Sequence, residues 1–116
     1  MQFLLLIYDQ EADWAKLTPA QQGAMYQEYG QFTKEITEKG KYLGGNQLKP
    51  IATATTVRVR NGSTKTASGP ATTGSEQIIG FYVVEAKNQD EAIAYAAKIP
   101  SAAVGSIEVR PIVSSS

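Results

Sequence analysis

Tyrosine, arginine and glutamate are the side chains of this chain that could act on a small molecule. The sequence contains six tyrosines and neither cysteine nor histidine, so it excludes thiolate nucleophiles, disulfides and most zinc or copper sites. Any metal would have to be a hard cation bound by carboxylates. No Ser-His-Asp, Cys-His or paired-carboxylate arrangement can be drawn from the sequence, and we predict no metal site and no cofactor.

Glu76 and Tyr29 are the candidates for proton transfer, and they leave open whether the protein is an enzyme. Glu76 lies where a polar loop enters an apolar strand, so it could act as a base or, equally, cap loop amides. Tyr29 falls on an apolar helical stripe, which favours a core tyrosine over a ligand-facing one. A phenol with a pKa of about 10 is a poor base at neutral pH. In a reaction, Glu76 would accept a proton and Tyr29 would donate one.

Tyr8, Arg58 and Gln77 complete the predicted ligand site with Tyr29 and Glu76. Arg58 falls opposite a lysine in a predicted hairpin, and like charges across two strands cost stability, which indicates an anionic group nearby. A solvated face or a neighbouring glutamate is the simpler explanation. The planar guanidinium suits a carboxylate or phosphate, so we predict a small polar or anionic ligand. Asp9 could join this site, although a turn-forming role is favoured.

The elements that position these residues begin with a strand and a long helix. The apolar run from Phe3 to Tyr8 is typical of a buried central strand. Thr18, Pro19 and Gln21 combine an N-cap hydroxyl, a proline at the first helical position and a glutamine at the third, so we predict a helix from Thr18 to a C-cap at Gly40. Its apolar stripe comprises Met25, Tyr29, Phe32 and Ile36.

The sequence after the first helix predicts five strands, two of them joined by an Asn-Gly turn, and a second helix. Asn61-Gly62 readily forms the type I′ turn of a hairpin and sets its register. The strand before the hairpin is loosened by two glycines where a backbone or a ligand could approach closely. The remaining predicted pieces are strands at 42–48, 55–60, 63–66, 78–85 and 107–112, a helix capped by Asn88 and stopped by Pro100, and a polar tail at 114–116.

This order of elements predicts one domain over residues 1–116 with an α+β, ferredoxin-like fold. Two helices can cover only one face of the sheet. The other face would expose alternate apolar side chains of the strands at 3–8 and 78–85, and a large apolar patch implies a partner. A homodimer that pairs sheet to sheet is the simplest solution.

The overall charge disfavours two classes of partner. Eleven Lys and Arg balance eleven Asp and Glu, so we predict that the protein binds neither nucleic acid nor a membrane surface. The apolar start of the chain lacks a basic region and is far shorter than the roughly 20 residues of a membrane span. We therefore predict a cytoplasmic protein.

The segment from Ser68 to Tyr82 resembles the signature loop of the DGPF branch of the YCII-related proteins. That loop usually reads Asp-Gly-Pro-Phe-Ala-Glu-Thr-Lys-Glu-Gln before a Gly-Phe-Tyr strand, and Gly69-Pro70, Glu76-Gln77 and Gly80-Phe81-Tyr82 keep its frame. The resemblance extends along nearly the whole chain. It implies a ferredoxin-like fold that forms a dimeric α/β barrel. The departures are Ser68, Ala71, Thr73, Gly74 and Ser75, in place of Asp, Phe, Glu, Thr and Lys.

The resemblance also implies that inherited chemistry has been altered. The YciI branch of the family uses a His and an Asp in a cleft between subunits. Tyr29 stands at the position of that His, and Ile99-Pro100 stands where that branch has Asp-Pro. The alternative function is therefore a non-catalytic interaction module. Some family members are encoded near, or fused to, sigma factors, so the module would have a protein partner such as a sigma factor.

Overall fold

The computed structural model describes residues 1–114, and its strands and two long helices follow the predicted order. Three short helical turns are added: α1 and two 3₁₀ turns at Ile51–Thr53 and Pro100–Ala103. Ser115 and Ser116, the end of the predicted tail, lie outside the described residues. The elements are β1 (Gln2–Asp9), α1 (Glu11–Ala15), α2 (Pro19–Glu38), β2 (Tyr42–Gln47), β3 (Thr55–Arg60), β4 (Ser63–Ser68), β5 (Gln77–Glu85), α3 (Gln89–Lys98) and β6 (Ser106–Pro111).

Four of the strands form one antiparallel sheet in the order β2, β5, β1, β6. This is the strand order of a ferredoxin-like fold, and it confirms the predicted α+β class. The register places Leu5 opposite Tyr82 on one side and Val109 on the other. The first strand therefore has the central position that its apolar run predicted.

The two long helices pack on the same face of this sheet. Phe3, Leu5 and Ile7 of β1 are buried under them, whereas Leu4 and Leu6 on the opposite face are partly exposed. The expectation that one face would stay open is therefore confirmed for a single chain. The buried core under the helices comprises Phe3, Leu5, Ile7, Phe32, Ile36, Tyr82, Val84, Ala86, Ala92, Tyr95, Ala96 and Ile99.

The helix boundaries follow the capping residues in the sequence. The Thr18 hydroxyl accepts a hydrogen bond from the Gln21 amide at 3.2 Å, and the Gln21 side chain accepts one from the Thr18 amide at 2.8 Å. Asn88 caps α3 through the Glu91 amide at 2.9 Å. The helix α2 ends at Glu38, slightly before the predicted Gly40, which takes a φ of 70° just beyond the C-cap.

The β3–β4 hairpin, Thr55–Ser68, stands outside the main sheet as a two-stranded sheet of its own, and we call it the arm. The predicted register is confirmed, with Arg58 opposite Lys65, and Asn61 and Gly62 have φ values of 51° and 77°. Nearly every arm residue is exposed. The radius of gyration of 16.1 Å exceeds the about 13 Å expected for a compact domain of this length.

None of the helices found among residues 1–114 combines the length and the apolar character needed to cross a membrane.

Candidate functional site

A cavity of about 340 Å³ lies between α1, α2 and the β2–β5 end of the sheet. Binding pockets for small molecules are concave and mostly apolar, with a few polar groups that fix orientation. This cavity fits that description. Its side chains include Ile7, Asp9, Glu11, Trp14, Met25, Tyr26, Tyr29, Thr33, Tyr42, Leu48, Ile79, Tyr82 and Ser101.

Aromatic rings in edge-to-face pairs form much of the wall. Trp14 of α1 packs against Tyr26 of α2 with ring centroids 5.3 Å apart, and Tyr42 of β2 packs against Tyr82 of β5 at 6.2 Å. Edge-to-face pairs at these separations are favourable because the positive edge of one ring meets the negative face of the other. The cavity therefore presents flat apolar surfaces that belong to four different elements.

Tyr29 reaches the cavity from the apolar stripe of α2 and hydrogen-bonds the hydroxyl of Ser101. Ser101 lies just after Pro100 in the second 3₁₀ turn and is almost fully buried. Burial raises the pKa of the Tyr29 phenol above its ordinary value; hydrogen bonding from Ser101 opposes this shift, and nearby Tyr82 and Asp9 add to it. Tyr29 is therefore protonated at neutral pH and can donate a hydrogen bond, but it cannot serve as a base.

Tyr82 is a second protonated phenol in the cavity wall, and its hydroxyl is hydrogen-bonded to Thr33. The Thr33 hydroxyl donates its proton to the carbonyl oxygen of Tyr29 at 2.9 Å. The 2.8 Å contact between Thr33 Oγ1 and the Tyr82 hydroxyl must then use the Tyr82 proton. Burial raises the pKa of Tyr82, with Tyr42 adding to the shift and the Thr33 bond opposing it.

Gly45 allows the Tyr82 ring to take this position. A Cβ at Gly45 would lie 2.8 Å from the Phe81 carbonyl oxygen and 2.9 Å from the Tyr82 ring. Any larger residue would therefore push β2 away from β5. Close approach at the glycines of this strand was predicted, and it is confirmed at Gly45, whereas a Cβ at Gly44 would meet nothing within 4 Å.

Two carboxylates give the cavity an acidic side. Asp9 accepts a hydrogen bond from the Gln10 amide at 2.7 Å, and Glu11 accepts one from the Ile51 amide at 2.8 Å. Neither carboxylate takes part in an ion pair among residues 1–114. Within the same described range, the lining contains no lysine and no arginine. A ligand in this cavity would therefore meet negative charge and no positive charge from its own chain.

Of the five residues predicted to bind a ligand, Tyr29 lines this cavity and the other four lie elsewhere in the chain. Tyr8 is partly exposed on β1, and Glu76 is exposed. Arg58 lies on the arm, where its guanidinium donates to the Ala71 carbonyl at 3.4 Å. Gln77 is buried and closes its own loop, because its side-chain amide donates to the carbonyls of Thr72 at 3.0 Å and Gly74 at 3.1 Å. A single chain therefore does not bring these five residues together.

Glu11, Trp14, Thr33, Tyr82 and Ser101 are among the cavity residues that sequence reasoning did not select. Thr33 follows Tyr29 by four positions on a helix, and that spacing could have placed both side chains on one face. Trp14 is the sole tryptophan of the chain, but its helix of five residues is too short to show a helical period. The position of Ser101 depends on how the chain folds after α3, so no local signal indicates it.

No group of three acidic side chains within residues 1–114 comes close enough together to hold a metal ion.

Comparison with known proteins confirms the predicted resemblance at the level of the YCII-related family. The whole chain, residues 1–116, matches the model of the YCII-related domain. The chain is also 28% identical, over 114 residues, to an uncharacterised protein of Rhizobium meliloti (strain 1021), and the alignment covers 97% of this chain and 92% of that protein. The match therefore spans the complete fold rather than one motif. The chain belongs to the YCII-related domain family.

Proposed function

We propose that this protein binds a small molecule in the cavity, and that the ligand is largely apolar or aromatic and either uncharged or positively charged. The observation that carries the proposal is the composition of the cavity wall, in which aromatic rings and two carboxylates occur without a lysine or arginine among residues 1–114. Rings attract organic cations through their negative faces. Carboxylates favour the same charge by direct attraction.

This ligand differs from the anionic one expected from the sequence. That expectation depended on Arg58, which lies on the arm and outside the cavity wall. An anion in the cavity would approach Asp9 and Glu11 without a cation from the same chain to offset the repulsion. A volume of about 340 Å³ holds a ligand of on the order of ten non-hydrogen atoms, at roughly 30 Å³ for each water-sized group.

The roles of the wall residues support binding rather than proton transfer. Tyr29 stays protonated, so it offers a hydrogen-bond donor to a carbonyl or hydroxyl of the ligand. Glu76, the predicted proton acceptor, is exposed and does not line the cavity. The rings of Trp14 and Tyr82 would hold the apolar part of the ligand.

A matched set of three probes tests the proposed ligand class. The probes are 2-phenylethylamine, 2-phenylethanol and phenylacetate, which share a ring and differ in charge. Trp14 is the sole tryptophan of the chain and lines the cavity, so its fluorescence reports occupancy. We expect the amine and the alcohol to bind at least about tenfold more tightly than the anion, a difference of about 1.4 kcal/mol. Phenylacetate as the tightest probe would contradict the proposal.

Removing the Tyr29 hydroxyl tests whether the probes bind in the cavity. Tyr29→Phe should weaken 2-phenylethanol binding about 3-fold to 10-fold, because a net hydrogen bond contributes about 0.5–1.5 kcal/mol. Tyr95→Phe is the matched control: Tyr95 is a buried tyrosine, its hydroxyl donates to Glu91 at 3.3 Å, and it does not line the cavity. Equal losses in the two variants would show that the probes bind elsewhere.

We also propose that the open face of the sheet pairs with a second copy, as in a dimeric α/β barrel. The support is a set of partly exposed apolar side chains on that face, Leu4, Leu6, Phe81 and Val83. A face of this kind favours a partner over water. Sedimentation should show a dimer that Leu6→Glu converts to monomer with an unchanged circular dichroism spectrum. A wild-type monomer at every concentration would contradict this pairing.

An interaction module is the second candidate function, and the exposed arm is the observation that favours it. A sigma factor is the partner class suggested by the family resemblance. Purification from the native cell distinguishes the two candidates. A stoichiometric protein partner with an empty cavity would favour the module, whereas a bound small molecule without such a partner would favour the ligand-binding function.

A further inference from the structure

The zero net charge of this chain conceals a separation of charge along its length. Residues 49–75, which include the arm, contain Lys49, Arg58, Arg60 and Lys65 and no acidic residue. All eleven Asp and Glu residues therefore lie in the rest of the chain, which we call the body, together with the other seven Lys and Arg residues. The segment with the arm carries four positive charges, and the body carries four net negative charges.

The arm has two chemically different faces, and both are exposed. Arg58 and Lys65 lie directly opposite each other on one face, and Arg60 shares that face because it lies two residues beyond Arg58 on the same strand. Val57 and Val59 lie on the other face and are 59% and 58% exposed. Within residues 1–114, none of the arm's cations makes an ion pair.

An arm in this state is at best marginally stable by itself. An isolated two-stranded hairpin is marginally stable, and like charges directly opposite each other on two strands reduce that stability further. Contact with a surface that is both acidic and partly apolar would relieve both costs. The guanidinium of Arg58 makes one long hydrogen bond to a carbonyl, at 3.4 Å, and so remains available for such a contact.

We infer that the arm docks on the acidic body of a second copy of this chain. The two charges are equal and opposite, so a symmetric pair in which each arm contacts the other body would neutralise both. A polyanion such as a nucleic acid would satisfy the cationic face but would leave Val57 and Val59 in water. Outside the cavity wall, the body offers carboxylates that form no ion pair within residues 1–114, namely Glu28, Glu38, Glu76 and Asp90. This contact is independent of the proposed ligand.

Photo-crosslinking from the arm tests the docking surface directly. The chain contains no cysteine, so Thr64→Cys gives a single attachment point for benzophenone maleimide. The labelled variant is mixed with ¹⁵N-labelled wild-type protein, irradiated and digested for mass spectrometry. We expect crosslinks from the arm to ¹⁵N-labelled body peptides. Crosslinks confined to the arm's own copy, or to nucleic acid retained in purification, would overturn the inference.

Charge reversal separates docking from the sheet-to-sheet pairing proposed above. Arg58→Glu with Arg60→Glu should lower the yield of crosslinks between copies at least tenfold while sedimentation still shows a dimer. Lys34→Glu with Lys87→Glu is the matched control, since these lysines are exposed and form no ion pair within residues 1–114. The control should change the yield less than twofold. Equal losses in the two variants would show a general charge effect and would contradict docking through the arm.

Discussion

The main sheet and the arm are both antiparallel β-structure, yet they keep their valines in opposite environments. Val84 in the sheet is fully buried, whereas Val57 in the arm is 59% exposed. Both lie in strands rich in β-branched residues, which is the composition that strands prefer. The comparison shows that strand composition predicts pairing but does not predict what covers the strand. The exposed valines of the arm are one reason for the proposal that the arm docks on a second copy.

Core truncation should give the largest difference between these two regions. Leu5→Ala removes a fully buried side chain of the central strand and should lower the free energy of unfolding by about 2–5 kcal/mol. Val57→Ala on the arm should change it by less than about 0.5 kcal/mol. Urea denaturation at a protein concentration that keeps the chain monomeric measures both values. Similar losses in the two variants would show that the arm is part of the core.

A smaller loss of stability is expected from adding a side chain where β2 approaches β5. Gly45→Ala places a methyl group 2.8 Å from a carbonyl oxygen and 2.9 Å from the Tyr82 ring, so it should cost about 1–3 kcal/mol. Gly44→Ala, one residue earlier with nothing within 4 Å, should cost less than about 0.5 kcal/mol. Thermal unfolding compares the two variants. If Gly44→Ala is as destabilising as Gly45→Ala, the steric explanation is wrong.

The smallest effect is expected for the loss of folding stability in alkaline solution. Burial is the largest cause of the raised pKa values of Tyr29, Tyr82 and Tyr95. A raised pKa means that folding favours the protonated phenol, so this contribution is complete below about pH 10 and is lost as the pH rises through the folded-state pKa values. Denaturation between about pH 8 and pH 11.5 should show stability falling above pH 10, less steeply in Tyr29→Phe. Stability that increases above pH 10 would contradict these shifts.

The parts of the fold that were predictable are those set by local chemistry. The Thr18 and Asn88 caps and the Asn61-Gly62 turn involve residues close together in sequence, so their geometry follows from residue type. The order of strands followed from hydrophobic pattern. By contrast, α1 could not be predicted, because a helix of five residues does not complete enough turns to show an apolar stripe.

The site was less predictable than the fold because its residues meet only through tertiary packing. The stripe on α2 was enough to place Tyr29 on an inward face. Its partner Ser101 lies 72 residues away, and the meeting of these two hydroxyls depends on where the chain turns after α3. Arg58 and Glu76 were grouped with Tyr29 from their chemistry alone. The hairpin register was correct, but the hairpin lies outside the main sheet, and Arg58 is exposed on it and does not line the cavity.

Chemical-shift mapping with 2-phenylethylamine is the most direct test of whether the ligand site lies in the cavity of the body. The backbone amide signals and the indole N–H signal of the ¹⁵N-labelled protein would be followed as the amine is added. We predict that the largest shifts occur around the cavity, at Trp14, Tyr29, Tyr82 and Ser101, while the signals of Arg58 and Glu76 stay in place. The opposite result, with shifts at Arg58 and Glu76 and an unchanged Trp14 indole, would contradict this account.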